Sequence, residues 1–257
     1  MTGRHGKRGA LALLAVGLGL SLVGLTLAAN PNERAVKPER NVQDPAEVNA
    51  DDGKLWVLDF KFKDPRLIKV DVPGRGQKVC WYLWYQVVNN TKQPHTFIPD
   101  FELVTHDRDT VHHDQILPKV QQAIQQVEDP TGYYKIKNSV TISADPIPPS
   151  LPNAAPRAVT GVAIWDDVDP DSNSYSIFVG GLSNGWAVTD PVTAGGKPVV
   201  RRKTLQLDFK RLGDRYLQRS EEIRFQPPPH WIYRGSQLTI PGLAPAAAPK
   251  APEGAKQ

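Results

Sequence analysis

The chain has 257 residues, 31 Lys+Arg against 27 Asp+Glu, and a single cysteine. That length suffices for one large or two small domains with a sizeable core, and one thiol excludes an internal disulfide, so packing must hold the fold. Removing Arg4, Lys7 and Arg8 leaves 28 basic against 27 acidic residues, so the formal charge of +4 is weak evidence for a nucleic-acid partner, and none is expected.

Those three basic residues precede an uncharged apolar run, residues 10–29, which ends in the small residues Ala28 and Ala29 before a polar segment. This is the pattern of a Sec-type export signal. The run is also long enough to span a bilayer. Residues 1–29 are therefore a cleaved signal peptide or an N-terminal membrane anchor, with membrane contact through residues 10–29. Both readings place the body outside the cytoplasm, as a periplasmic or secreted protein or one anchored to the inner membrane. Pro31, Pro38 and Pro45 break up residues 30–53, which read as a polar linker.

Residues 55–62 alternate, with Trp56, Leu58, Phe60 and Phe62 on one face and Asp59 and Lys61 on the other, which predicts a half-buried strand. Ile68, Val70 and Val72 repeat the pattern before a turn at 73–76. Residues 79–91 are the densest apolar stretch and predict a long central strand. Val79, Trp81, Leu83, Tyr85 and Val87 form its core face, and Cys80, Tyr82, Trp84, Gln86 and Val88 form the other. Tyr82 and Trp84 are either roofed by the chain's own helix and C-terminal segment or exposed for a partner. Roofing is the reading favoured, because monomers seldom leave large apolar patches open.

Residues 89–94 read as a turn, and this explains Asn89-Asn90-Thr91 better than glycosylation does. A strand at 97–104 pairs with 111–113 across a turn at 106–109. The period then changes: Ile116, Val120, Ile124 and Val127 fall at helical spacing, predicting one inserted helix at 116–128 that ends before Asp129-Pro130. Strands are expected at 134–143, 159–165 and 175–179, with a proline-rich crossing at 145–156. Residues 204–209 and 215–225 are expected to form a hairpin around 212–214, and 230–233 to cover an edge. Residues 243–257 read as a disordered Ala/Pro tail.

Many short strands without βαβ alternation imply a mainly β, antiparallel β-sandwich. The expected division is a sandwich at 54–190 and a C-terminal β-hairpin extension at 191–242. Residues 86–91, 97–104 and 161–165, with Gly180-Gly181-Leu182-Ser183-Asn184-Gly185-Trp186, resemble the immunoglobulin-like domains of bacterial exported proteins, in an uncharacterised envelope family. The resemblance covers residues 55–186. It implies an immunoglobulin-like sandwich and an adhesion, scaffold or accessory role, while the helix, the C-terminal addition and the missing cysteine pair depart from the pattern.

Four groups of residues carry possible chemistry. Gly181-Leu182-Ser183-Asn184-Gly185 matches a nucleophile elbow, and Asp208 or Asp214, then His230, follow in α/β-hydrolase order. The β-prone residues after Ser183 are not the required helix, and Asn184-Gly185 alone explains the stretch as a hairpin turn. His106, His112 and His113 with the acids around them suggest a metal site, but without zinc spacing. Asp167, Asp169 and Asp171 suit calcium, yet Ser172 and Phe178 stand where an EF-hand needs Gly and Glu. Arg201, Arg202, Lys203, Lys210, Arg211, Arg215 and Arg219 read as a solvated, edge-guarding basic face.

The function expected is an exported, non-enzymatic binding or structural module of the cell envelope. It would need no cofactor, its partner would be an envelope protein or polymer, and Tyr82 and Trp84 would be candidate binding residues. The alternative is an exported serine hydrolase or metal-dependent enzyme using Ser183 and His230 or the 106–114 cluster.

Overall fold

The computed structural model describes residues 33–36, 48–50, 54–151, 155–189, 199–213 and 222–235. The apolar run at 10–29, the tail at 243–257 and the start of the expected 215–225 strand lie outside them. Twelve strands and two helices are described: β1 Glu33–Val36, β2 Val48–Ala50, β3 Asp59–Lys63, β4 Arg66–Val72, β5 Gly76–Val88, β6 Asp100–Thr105, β7 Thr110–His113, α1 Pro118–Glu128, α2 Ser139–Ile142, β8 Ala158–Trp165, β9 Ser174–Gly180, β10 Gly185–Thr189, β11 Val199–Arg211 and β12 Ile223–Gly235. They form two antiparallel sheets around a shared aromatic core, the sandwich architecture that alternation predicts.

The first sheet is built on β5. One edge of β5 pairs with β3 and β4 in succession, the other with β8, and β1 extends β3. Between the pairs Phe62↔Tyr85 and Arg66↔Tyr82, three residues of the β3–β4 side oppose two of β5, a one-residue bulge at Lys63-Asp64-Pro65. The bulge reverses parity. Phe60 and Phe62 point into the core, whereas Ile68, Val70 and Val72 point to the outer face.

The second sheet is built on β11 in the same way. β9 and β10 lie end to end along one edge of β11, and β12 occupies the other. β6 and β7 continue beyond β9, and β2 beyond β10. The segment expected as an appended extension thus supplies the central strand of this sheet. Asn184-Gly185 is not a hairpin turn, because β9 and β10 do not pair with each other. Asn184 instead accepts from Trp56 N–H at 2.9 Å and donates to the Lys54 carbonyl at 3.0 Å.

Aromatic pairs join the sheets across the core: Tyr85 with Phe101 at 4.8 Å, Trp81 with Tyr175 at 4.9 Å, and Phe62 with Phe209 at 6.0 Å between ring centroids. Gly161 lies opposite Tyr85 in β8, and a Cβ there would sit 2.4 Å from the tyrosine Cζ. That ring also packs on Phe60 and Phe101, so it has little room to yield. Gly161→Ala is expected to lower unfolding free energy by about 1–3 kcal/mol, measured by urea denaturation. An unchanged midpoint would mean that the Tyr85 ring moves aside freely.

The outer face of β5 is covered by α1. Val120 and Ile124 of the helix and Ile136 of the following loop pack with Cys80, Tyr82, Trp84, Val162 and Ile164. Ile116 and Val127, though at helical spacing, remain exposed. Pro118 opens the helix at a position where its missing N–H has no consequence. The strand expected at 134–143 is absent. Asn138 accepts from the N–H groups of Val140 and Thr141, and Thr141 reciprocates to the Asn138 N–H, a capping box that turns the segment into α2. The sandwich therefore carries two helices, where one was expected.

Candidate functional site

Ser183 sits in the link between β9 and β10. Gly181 makes that link possible, since its φ is +83° and a Cβ there would lie 2.0 Å from the Ile98 carbonyl oxygen. The Ser183 hydroxyl donates to the Trp56 carbonyl at 2.8 Å and accepts from Gly185 N–H at 3.1 Å. It fastens the link to the segment before β3. His230 is exposed on β12, opposite Gln206 and across β11 from the Ser183 side. Asp208 accepts from Ser176 and, at 2.9 Å, from Gln206. No hydrogen bond joins Ser183 to His230 or Asp208 among the described residues, and Asp214 lies outside them. Ser183, His230 and Asp208 form no triad.

The acids of the 166–171 loop are engaged by side chains from other segments. Arg75 is ion-paired with Asp166, Arg108 with Asp169 at 2.7 Å, and His112 Nδ1 lies 3.1 Å from Asp167. Asp169 also accepts from Asp171 N–H, and Arg211 donates to the Pro170 carbonyl at 2.7 Å. A guanidinium thus stands at the loop where calcium would need oxygen ligands. His106 Nε2 lies 2.7 Å from Ser176 Oγ. Because the serine hydrogen goes to Asp208, His106 must donate there, so it does not act as a base toward Ser176. His112 and His113 point to opposite faces, and His113 is exposed. No group of three metal-ligating side chains occurs among the described residues.

Tyr82 and Trp84 are buried under α1 and the loop after it; none of the described residues of the C-terminal segment takes part in that roof. Neither offers a surface to a partner. At the end of α1, Glu128 joins them to the sheet: it receives Lys63 Nζ at 2.8 Å, Arg66 Nη1 at 2.9 Å and the Tyr82 hydroxyl at 2.8 Å. Lys63 Nζ also lies 4.3 Å from the Trp84 ring centroid. Burial alone would push the Glu128 carboxyl up, but Lys63, Arg66 and Tyr82 together hold it below the usual value. Burial, then the Glu128 charge, pushes the Tyr82 hydroxyl well up. Cys80, in the same layer, is pushed up to about 11, chiefly by burial, which makes it an unreactive thiol.

Asp114 ties three elements together. It follows β7, accepts from Ser139 of α2, and accepts from Ile164 N–H of β8 at 2.7 Å. Burial pushes it up to about 6, against the hydrogen bonds from Ser139, Ile164 and Gln115 that favour the charged form. A carboxyl raised on folding binds its proton more tightly in the native state, so its contribution is present at acid pH and is lost as pH rises through about 6. The unfolding midpoint in urea is expected to fall between pH 5 and pH 7.5, and Asp114→Asn to abolish that fall. A midpoint that rises over the same interval would contradict the assignment.

One surface escapes the sequence reading. On the outer face of the second sheet, His113, Glu102, Phe178, Gln206 and His230 form one cross-strand row over β7, β6, β9, β11 and β12. Arg234 lies 3.9 Å over the Phe178 ring and is ion-paired with Glu102. The polar members of each alternating strand are its signal, but only the strand order reveals that they align. The expected basic face is divided: Arg201, near the start of β11, and Lys210 are exposed, Lys203 and Arg211 are buried, and Arg215 and Arg219 lie outside the described residues.

Among the described residues, no helix is long and apolar enough to cross a membrane. No protein-family model matches the chain, and comparison with curated proteins and with solved structures likewise finds no match.

Proposed function

We propose that the chain is an exported, non-enzymatic binding or structural module of the cell envelope, with an immunoglobulin-like sandwich. The observation that carries this reading is how its polar groups are spent. Ser183, His106 and the 166–171 acids hold loops together, whereas the row from His113 to His230 lies on the outer face of a sheet. An aromatic ring under an arginine, flanked by carboxylate, amide and imidazole, suits an envelope protein or polymer with both apolar and polar groups. Export rests on residues 10–29 and the basic residues before them.

Cosedimentation of the purified chain with an isolated envelope fraction tests the proposal. The wild type is expected to sediment, and the double variant Phe178→Ala/Arg234→Ala to stay in solution with an unchanged melting temperature. Covalent labelling of Ser183 by a serine-directed fluorophosphonate would instead mark a hydrolase and overturn the reading.

A further inference from the structure

The layer of α1, the turn after it and α2 buries Val120, Ile124 and Ile136 against the first sheet, yet leaves large apolar groups open. Val127 is 59% exposed, Val140 66% and Tyr133 80%, and Tyr134 is exposed as well. Tyr133 does not sit on a loose turn. The Asp129 carboxylate accepts from Tyr134 N–H at 2.9 Å and from Lys135 N–H at 3.1 Å, and the Asp129 carbonyl accepts from Gly132 N–H at 3.0 Å. Lys135 is held at a φ of +50°, which is costly for a residue with a side chain. Trp84 meets Tyr134 edge to face at 5.7 Å, and Tyr134 meets Tyr133 in the same way at 5.2 Å. A stack of rings thus runs from the covered sheet to an open phenol.

The exposed charge of this layer has one sign. Glu128 and Asp129 are the acids of residues 116–143, and both are turned inward, Glu128 to Lys63, Arg66 and Tyr82 and Asp129 to the backbone of the turn. Lys119 and Lys135 are exposed, while Lys137 lies 3.8 Å from Asp145. The route of the chain indicates what faces this surface. The apolar run ends at Ala29 and β1 begins at Glu33, so a bilayer holding that run lies within a reach of about 14 Å of β1. Glu33 pairs with Lys63, whose Nζ touches Glu128 at the end of α1 and lies over the Trp84 ring that meets Tyr134. β1 therefore enters the body at the same end of the layer as the tyrosines.

We propose that Val127, Tyr133, Tyr134 and Lys135 form a docking surface for an anionic lipid bilayer, the one in which residues 10–29 are anchored. Tyrosine suits that boundary, its ring toward the acyl chains and its hydroxyl among the headgroups, and Lys119 and Lys135 meet lipid phosphates. The inference rests on the export reading with residues 10–29 kept as an anchor. It goes beyond the outer-face row, which lies on the other sheet and stays free for its partner.

Cys80 is buried, so a cysteine placed at an exposed position can be labelled alone with a polarity-sensitive fluorophore. The full chain carrying Val127→Cys is reconstituted in vesicles of phosphatidylglycerol and phosphatidylcholine and recovered by flotation. A Val111→Cys chain, labelled on the other sheet, serves as control. The label at 127 is expected to shift to the blue and to become several-fold less quenched by iodide, and the label at 111 to be quenched as in solution. Adding Tyr133→Asp to the Val127→Cys chain, or using phosphatidylcholine alone, is expected to restore quenching. Equal quenching at 127 with and without vesicles, in a chain that floats with them, would overturn the docking alone. A chain that does not float with the vesicles would overturn the anchor on which the docking rests. Protection at 127 that appears without vesicles as chain concentration rises would place a second copy on this surface and overturn the lipid assignment.

Discussion

Trp81→Ala is expected to lower the unfolding free energy by about 3–5 kcal/mol, the range for truncating a large buried aromatic. Trp81 is fully buried in the middle of the sandwich, pairs with Leu67 and Trp165 on its two neighbouring strands, and meets Tyr175 of the opposite sheet. The vacated space is bounded by rings and strand backbone that cannot close over it. Equilibrium urea denaturation measures the loss. Trp81→Phe, which leaves a ring against Tyr175, should lose less than the alanine variant. Equal losses would locate the effect in the missing indole N–H and not in packing.

Glu128→Ala is expected to cost about 3–5 kcal/mol, for a different reason. One carboxylate, 3% exposed, answers two cations and a phenol. Lys63 is 10% exposed and loses its charge partner in a nearly dry layer, while Arg66, 30% exposed, can turn toward water. The cost should therefore fall mainly on Lys63. Lys63→Met in the Glu128→Ala background should recover part of the loss, because an apolar chain no longer demands a countercharge. If Lys63→Met adds to the loss, the cation's contact with Trp84 outweighs its desolvation. Acid has the same effect as the mutation. With the folded carboxyl held below its usual value, the contribution is present above about pH 4.5 and is lost as pH falls through the lower folded value.

The parts of this fold that could be read in the sequence are those whose evidence is local. The alternation of residues 79–88 assigns both faces of β5, and the change to a 3.6 period at 116–128 identifies the helix that covers one of them. The misread parts depend on partners far along the chain. Asn184-Gly185 has hairpin chemistry, but the asparagine is used by Trp56 and Lys54, some 130 residues earlier. The bulge beside Asp64-Pro65 shifts β4 to the other face, which a continuous alternation conceals. At 134–143, Tyr134, Ile136, Val140 and Ile142 fall at even spacing and mask the Asn138–Thr141 cap, whose residues are there in the sequence. The acidic loop has the look of a cation site in the sequence because its cations, Arg75, Arg108 and Arg211, arrive from three separate segments.

The burial of β5 on both faces has a kinetic consequence. Native pairing of β5 with β8 joins residues about 80 positions apart, such as Trp84 with Val162, so the strand must wait for distant chain before it is covered. Until then residues 79–88 are a branched, aromatic, uncharged segment of the kind that seeds intermolecular β-structure. Lys78 on one side and Asn89-Asn90 on the other are its immediate polar guards. If the chain crosses a membrane unfolded, this strand is where a holding chaperone would have most to bind, and where refolding at high concentration would first go astray.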